Sequence, residues 1–526
     1  MDTTGTYNLT SLAATALAQL IAQGDVTSEE VVEAHIQRIE AVNPALNAVV
    51  VQRFGEARAE AKLADERRAR GEPLGPLHGV PVTVKESLDL TGTPSTFGIP
   101  SRARALTSAD DPHVERIRAA GAIVLGKTNV SQLLMYVEAD NPVYGRTMNP
   151  WDPARTSGGS SGGEAAIIAT GGSPLGLGTD WGGSVRVPSA FCGIAGFKPT
   201  SGRLDDAEKC SLPAGERSIV SQVGPLARSV DDLILAMGVL TTRLETLGTM
   251  PVLGDPASVS VSRLRIGYYT DDGTFGVSPA IRRAVTEAAG ILAGQGAQVV
   301  EWAPPDVPHA LDLFFGIVSA DGGKTYARLL GRDKRDPRVA SLLFAAGQSR
   351  PVVRILRGLL RMAGQNGTAR MLGAFGHRDT YHYWHLVEQQ IDYVNRFLRA
   401  MDEDPGGSLD VLICPVAPIV AFQHGAAKTL VTSGGYAPLY NVLGFPAGAL
   451  PVTRVREGEE SSGRRSLDAM QRAALRAERG STGLPVAVQI VARPWQDHVA
   501  LAVMKAVEQA ARANADYPVV PRAHVS

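Results

Sequence analysis

The segment from Thr156 to Leu204 constrains the fold of this chain more than any other, because glycine and serine dominate it. Its sequence is TSGGSSGGEAAIIATGGSPLGLGTDWGGSVRVPSAFCGIAGFKPTSGRL. The apolar residues AAIIATGG inside it predict a buried helix. Ser160 lies in a glycine frame before that helix, and Ser184 follows Gly182 and Gly183. Glycines let successive backbone N–H groups converge on one point, which is how an oxyanion hole is formed.

Strand and helix patterns alternate along most of the remaining chain. GVPVTVKES, residues 79–87, predicts a short buried strand that ends in charged residues. SPAIRRAVTEAAGILAGQGAQVVEW, residues 278–302, predicts a helix followed by a strand, and LPVAVQIVA, residues 484–492, predicts a late strand. This alternation predicts an α/β fold, with a large mixed, twisted β-sheet covered by α-helices on both faces.

The first 70 residues favour helices. TSEEVVEAHIQRIEAVNP begins with a capping box of Thr27 and Glu30, and Pro44 is expected to end that helix. The chain is therefore expected to divide into an N-terminal helical segment that packs on a larger α/β core. The expected divisions are the helical segment at 1–75, the core at 76–526, a helical cap within it at about 340–375, and a surface insertion rich in Glu, Arg and Ser at about 455–480.

Charge and cysteine usage exclude several classes of protein. The net charge is −1, so the basic excess typical of nucleic-acid-binding proteins is absent. Cys192, Cys210 and Cys414 are odd in number and far apart, which predicts a reducing, cytoplasmic compartment rather than a disulfide framework. The first residues have no basic signal-peptide region, and no apolar run reaches the length of about 20 residues that spans a bilayer. His and Cys do not cluster at metal-ligand spacing, and we expect no metal and no cofactor.

Two short motifs match known patterns but lack the context that those patterns need. GAIVLGKT, residues 121–128, has the spacing of a P-loop, yet its middle residues predict a strand instead of a phosphate-binding loop. GGSSG, residues 158–162, has the spacing of a nucleophile elbow, which needs a strand directly before the turn. The preceding NPWDPARTS is polar and contains two prolines, so no such strand is predicted. Neither nucleotide binding nor an α/β-hydrolase site is expected.

A serine nucleophile needs a base. None of the ten histidines lies in a glycine-rich sequence comparable to those around Ser160 and Ser184. Burial lowers the pKa of a lysine from about 10.4 toward neutrality, so a buried lysine can accept the proton. Lys85 is the candidate because it ends an apolar strand. Taken singly, however, a lysine at a strand end is more often a solvated surface residue, and Ser160 and Ser184 are more often turn residues than nucleophiles.

The longer motifs resemble the amidase signature family. They are GVPVTVKE at residues 79–86, GGSSGG at 158–163 and GTDWGGSVRVP at 178–188. The resemblance implies the fold of that family, a catalytic lysine at Lys85, a bridging serine at Ser160 and a nucleophile at Ser184. It also implies a cis peptide bond just before Ser160. The spacing of 24 residues between the two serines agrees with the family.

Residues around the nucleophile are expected to support it. The candidates for the oxyanion hole are the backbone N–H groups of Trp181, Gly182, Gly183 and Ser184. Thr179, Asp180 and Arg186 flank this turn, and we expect Asp180 and Arg186 to form a buried ion pair that fixes the loop.

Similarity beyond the signature block points to the fatty acid amide hydrolase branch of the family. It includes NPVYGRTMNPW at 141–151, YNVLGFPAGALPVT at 440–453 and GLPVAVQIVARPWQ at 483–496. Unlike the animal enzymes, this chain is expected to have no N-terminal membrane-spanning helix. Leu133, Leu134, Met135 and Tyr136 are expected to line the substrate pocket, together with the region from Phe314 to Ile317.

The resemblance implies an amidase that hydrolyses the C–N bond of hydrophobic, fatty-acyl or aryl-acyl, amides through an acyl-enzyme. The expected partner is therefore a small-molecule amide. An aryl-acylamide or carbamate (urethane) hydrolase with the same three residues is the alternative. The amidotransferase component of a tRNA-dependent complex also has this signature, and a non-catalytic binding protein on the same fold is a further alternative.

PVVRILRGLLRMAG, residues 351–364, is amphipathic at helical spacing. Arg354, Arg357 and Arg361 fall on one face, and the other face is apolar. A basic amphipathic helix can lie on a membrane surface, and by position this one resembles the cap through which fatty acid amide hydrolases receive lipid substrates. The alternative is a lid or homodimer helix whose apolar face is buried.

Overall fold

The structure is a computed structural model, and it describes residues 7–204, 215–246, 250–430, 436–460, 463, 465–519 and 521 of the chain. The strands in these ranges are β1 (Val49–Gln52), β2 (Pro81–Lys85), β3 (Ile123–Thr128), β4 (Asp140–Asn141), β5 (Gly145–Arg146), β6 (Leu175–Asp180), β7 (Ala195–Lys198), β8 (Gln222–Ala227), β9 (Arg265–Tyr268), β10 (Gln298–Glu301), β11 (Val411–Pro415), β12 (Ala447–Arg454) and β13 (Pro485–Ala492).

Eleven of these strands form one mixed sheet in the order β1-β3-β2-β6-β8-β7-β12-β13-β11-β9-β10. Strand β2 runs parallel to both β3 and β6, whereas β8 runs antiparallel to β6 and β7. Because β2 and β6 are parallel neighbours, their carboxyl ends lie side by side at one edge of the sheet. The predicted mixed sheet is confirmed.

Helices surround this sheet. They are α1 (Ala14–Gln23), α2 (Ser28–Leu46), α3 (Phe54–Ala69), α4 (Pro112–Ala119), α5 (Gly162–Ala169), α6 (Arg186–Cys192), α7 (Val230–Thr246), α8 (Pro279–Gly294), α9 (Val307–Val318), α10 (Lys324–Leu330), α11 (Pro337–Ala346), α12 (Arg350–Met362), α13 (Asn366–Ala374), α14 (Thr380–Asp402), α15 (Tyr436–Val442), α16 (Ala469–Glu478) and α17 (Asp497–Ala511).

Both faces of the sheet are covered, and strand β3 illustrates the arrangement. Its Val124 packs into the larger apolar core, to which α1, α4 and α7 contribute. The neighbouring Ile123 and Leu125 pack into a second core with α2, α3 and α5. Successive side chains of a strand point to opposite faces, so these two cores lie on opposite sides of the sheet.

The start of helix α2 agrees with the sequence, but its end does not. The Thr27 side chain accepts the Glu30 N–H, and the Glu30 carboxylate accepts the Thr27 N–H, which completes the predicted capping box. The helix continues past Pro44 to Leu46. It ends at Asn47, which adopts the left-handed conformation (φ 51°) that suits asparagine at a helix end.

Helices α11, α12 and α13 occupy the segment for which the sequence predicts a cap. In the predicted insertion at 455–480, residues 461, 462 and 464 lie outside the described residues, and α16 packs Ala473 and Ala477 into the main core. Within the described ranges, no helix is both long and apolar enough to cross a membrane.

Candidate active site

Lys85 and Ser160 meet at the carboxyl edge of the central strands. Lys85 is the last residue of β2, and Ser160 precedes the buried helix α5 that the sequence predicts. The Lys85 Nζ donates to Ser160 Oγ at 2.7 Å and to Thr179 Oγ1 at 2.7 Å. All three residues are buried, and the Gly159–Ser160 peptide bond is cis. A buried amine in contact with hydroxyl groups is suited to exchange a proton with them.

Ser184 lies on the turn between β6 and α6, beside Ser160. Its carbonyl accepts the N–H of Ser161 at 3.2 Å, which joins the two serine turns. Ser184 and Ser160 also line one small cavity of about 20 Å³, together with Thr179 and Ser221. The structure therefore brings together Lys85 from the end of β2 and Ser160 and Ser184 from two separate turns.

The turn before Ser184 presents unengaged backbone N–H groups. Gly183 has a φ of +112°, which an L side chain rarely adopts. Its N–H donates to Asp180 Oδ1 at 2.8 Å and so faces the carboxylate instead of the substrate. The N–H groups of Trp181, Gly182 and Ser184 make no hydrogen bond to any residue that the structure describes. We therefore leave Gly183 out of the oxyanion hole that the sequence predicts.

Asp180 and Arg186 form the expected ion pair, and both side chains are fully buried. Two Arg186 nitrogens donate to the carboxylate at 2.9 Å, and the same guanidinium binds Asn441 Oδ1 and Gln489 Oε1, both at 2.6 Å. Burial opposes ionisation of Asp180, but the charge and hydrogen bonds of Arg186 outweigh it, and the pKa of Asp180 lies well below its usual range. The pair fixes the turn that holds Ser184.

A buried carboxyl group that the sequence reasoning missed lies beside Lys85. Glu164 of α5 accepts hydrogen bonds from Thr83 Oγ1 and, at 2.6 Å, from Thr128 Oγ1. Thr83 is two residues before Lys85 on β2, and Thr128 is the cross-strand partner of Lys85 on β3. Both threonines therefore lie on the same face of the sheet as Lys85. Burial raises the pKa of Glu164 to about 7, although the threonines and Lys85 oppose the shift. The only signal in the sequence is a charged residue inside an otherwise apolar helix.

An apolar cavity of about 140 Å³ opens onto Ser184. Of the four residues expected to line it, Leu134, Met135 and Tyr136 do, whereas Leu133 lines the 20 Å³ cavity beside the two serines. Leu133 and Leu134 both have positive φ values, near 55° and 59°, and Leu134 lines both cavities. The other apolar residues of the wall are Val137, Trp181, Val187, Phe314, Phe315, Val318, Tyr326, Leu342, Leu343, Ala346, Phe375 and Pro438. From the expected region 314–317, only Phe314 and Phe315 contribute.

Comparison with known proteins gives matches along nearly the whole chain. Residues 30–501 match the family model described as Amidase. Fatty-acid amide hydrolase 1 of Sus scrofa is 35% identical over 514 residues, which cover 94% of this chain and 84% of that protein. Amidase 1 of Gibberella moniliformis is 32% identical over 513 residues, which cover 94% of this chain and 92% of the relative.

A solved structure described as fatty acid amide hydrolase superposes with a TM-score of 0.84 at 26% identity. The superposition covers 96% of this chain and 85% of that one. The match therefore extends over the sheet, the serine turns and the cap segment alike.

Proposed function

This chain belongs to the amidase family and is an amide-hydrolysing enzyme of the amidase signature type, and from that premise we propose that it cleaves amides with hydrophobic acyl groups through Ser184, Ser160 and Lys85. One observation supports this most directly. The apolar cavity opens onto Ser184, while the buried Lys85–Ser160 contact lies behind it.

Proton transfer along the three side chains drives the proposed reaction. Lys85, which this mechanism requires in its neutral form, accepts a proton from Ser160, which accepts one from Ser184 as the Ser184 Oγ attacks the amide carbonyl. The C–N bond breaks when the relay returns a proton to the leaving nitrogen, because an unprotonated amine departs poorly. Water then attacks the acyl-enzyme through the same relay, and the carboxylic acid leaves.

The negative oxygen of the tetrahedral intermediate needs donors that are already in place. Within the described residues, the N–H groups of Trp181, Gly182 and Ser184 have no hydrogen-bond acceptor and can bind this oxygen. The Gly183 N–H cannot, because it donates to Asp180. Removing one such donor typically costs about 3 kcal/mol of transition-state stabilisation. The Asp180–Arg186 pair supports this turn and takes no part in bond breaking.

The wall of the cavity indicates the acyl group. Trp181, Phe314, Phe315 and Phe375 present aromatic rings, and no charged side chain lines the cavity within the described ranges. Such a surface suits an alkyl chain or an aryl group and disfavours a charged acyl group, since burying an unpaired charge is costly. The aromatic share of the wall keeps an aryl-acylamide substrate as the second candidate.

Labelling by a fluorophosphonate probe and a substrate panel test the proposal. The wild-type chain should be labelled, Ser184→Ala should not be, and Ser161→Ala, at the neighbouring serine, should retain labelling. The panel compares long-chain amides, anilides and carbamates. Normal labelling of Ser184→Ala would reject the nucleophile. A labelled chain that hydrolyses none of the three classes would favour the amidotransferase alternative.

We further propose that the α12 segment, residues 351–364, contacts a membrane surface. Ile355, Leu359 and Met362 expose 64%, 53% and 79% of their surface, although they belong to the apolar face of the helix. Arg354 and Arg361 are exposed beside them, whereas Arg357 lies against Gly373 of α13. An exposed apolar stripe flanked by arginines matches the boundary between acyl chains and phosphate headgroups.

A further inference from the structure

The apolar cavity has walls from two separate parts of the chain. Met135, Tyr136 and Val137 belong to the loop that follows β3, whereas Leu342 and Leu343 belong to helix α11. The width of the cavity therefore depends on what holds the helix against the loop. A small apolar cluster joins them, in which Tyr136 packs with Val339 and Leu343.

A single guanidinium lies across this junction. Arg338, in the first turn of α11, is 8% exposed, and its Cζ lies 4.4 Å from the centre of the Tyr136 ring. It donates to Glu138 Oε2 at 2.9 Å, and its Nη2 lies 2.9 Å from Asp140 Oδ2. Glu138 belongs to the loop, and Asp140 begins the short strand β4 that follows it. Arg338 also binds Asp336, the residue that caps its own helix, at 2.7 and 2.8 Å.

Glu138 and Asp140 depend on Arg338 for charge compensation to different degrees. Asp140 has a second partner, because Arg146 approaches the same oxygen at 3.1 Å. Glu138 is only 1% exposed, and its remaining hydrogen bonds come from the backbone N–H groups of Gly425 and Ala427, both at 2.9 Å. Burial raises the pKa of Glu138, and Arg338 opposes that shift. Glu138 therefore ties three segments together: the loop, α11 and residues 425–427.

A second polar contact joins the same two segments. The Gln132 side chain donates to the Lys334 carbonyl at 2.9 Å and accepts the Asp336 N–H at 2.8 Å. The start of α11 is thus held from two sides. Leu342, which lines the cavity, lies one helical turn after Arg338 on the same face of α11, so a shift of this helix would also move the cavity wall.

We propose that Arg338 is a positioning residue that determines acyl-chain specificity: it clamps α11 to the loop at Tyr136 and Glu138 and so sets the width of the apolar cavity. This inference rests on the proposed function of that cavity. A long acyl group would contact both walls, whereas a short one would contact only Trp181 and Gly182 beside Ser184. Arg338 touches neither the reacting atoms nor Lys85.

The test compares Arg338→Met with Arg335→Met, an exposed arginine of the same segment. For Arg338→Met, the ratio of kcat/KM for a long-chain over a short-chain amide should change about tenfold, mainly through KM of the long-chain amide. The rate of labelling by a small fluorophosphonate should stay within about twofold of wild type. Arg335→Met should change neither quantity. An unchanged ratio in folded Arg338→Met would overturn the proposal.

Hydrogen exchange and a second variant test whether Arg338 holds α11 against the loop. Hydrogen exchange of residues 337–346 and 135–140 should become faster in Arg338→Met and not in Arg335→Met, whether or not the chain cleaves amides. If Arg338→Met does not fold, Arg338→Lys keeps the charge without the fork that binds three carboxylates, and it should shift the ratio in the same direction. Unchanged exchange in either folded variant would reject the clamp, whereas absent labelling of the wild type would reject the proposed function instead.

Discussion

The Lys85 amine and the Ser160 hydroxyl, 75 residues apart in sequence, lie 2.7 Å from each other in a fully buried site. Thr179 supplies the next contacts of the amine, through its hydroxyl at 2.7 Å and its carbonyl at 3.3 Å. In the proposed mechanism the pair forms one proton-transfer unit, so the loss of either residue should have the same effect on catalysis.

Lys85→Ala and Ser160→Ala should each lower kcat by about 100- to 10,000-fold, the range typical of a lost general base. The double variant should lose about as much as the worse single variant, because residues that act as one unit are not additive. Steady-state kinetics measure this, with Ser161→Ala, at the neighbouring serine, as the control. Losses that multiply in the double variant would contradict a single relay.

The buried Asp180–Arg186 pair should be important for stability. Asp180→Asn leaves a fully buried arginine without its counter-charge and should lower the free energy of unfolding by about 3–5 kcal/mol. Asp312→Asn removes the exposed partner of Arg370 and should cost at most about 1 kcal/mol. Urea unfolding of both variants measures the difference. Similar losses in the two variants would reject the distinct role of the buried pair.

The membrane proposal makes a prediction for Ile355 and Leu359. The double variant Ile355→Glu/Leu359→Glu should lose binding to anionic liposomes, because each apolar side chain contributes about 1.5–3 kcal/mol when it is buried. Leu63→Glu, at an equally exposed apolar position on α3, should leave binding unchanged. Sedimentation with vesicles of phosphatidylcholine and phosphatidylserine measures this. Unchanged sedimentation, or a change in the mass of the chain in solution instead, would favour the homodimer alternative.

The sequence could predict those parts of the site whose residues lie close together in short sequence motifs. Ser160, Ser184 and the strand that ends at Lys85 lie in contiguous motifs, so spacing and a family resemblance were enough to pair them. The buried pair of Asp180 and Arg186 was also within reach, since the two residues are six apart on one turn. The predicted sheet and helix α5 follow from periodicity alone.

The remaining contacts depend on tertiary neighbours that no local pattern encodes. Glu164 receives hydrogen bonds from two different strands, and Arg338 binds carboxylates about 200 residues away in sequence. The periodicity of α12 predicts an apolar face but not which apolar side chains the rest of the protein covers: Val353 is buried, whereas Ile355, about 200° around the helix from it, is exposed. The prediction that Pro44 ends α2 was wrong: the helix continues to Leu46, and Asn47 caps it in the left-handed conformation.

Glu164 makes the stability of the chain depend on pH. Its pKa is raised from an ordinary value of 4.5 to about 7, so the protonated carboxyl is favoured in the folded state. A raised pKa gives a stabilising contribution that is complete below pH 4.5 and lost as the pH rises through about 7. At about 1.4 kcal/mol per pH unit, the loss amounts to about 3 kcal/mol.

Glu164→Gln removes this titration and keeps the shape of the side chain. The melting temperature of the wild type should therefore fall relative to that of Glu164→Gln between about pH 5 and pH 8, and the two curves should run parallel above that range. Glu403→Gln, at an exposed position after α14, should follow the wild type throughout. Thermal unfolding of the three proteins at matched ionic strength measures the difference. Parallel curves for wild type and Glu164→Gln from pH 5 to 8 would mean that the carboxyl beside Lys85 is already ionised in the folded protein, and that the lysine is its counter-charge instead of a neutral base.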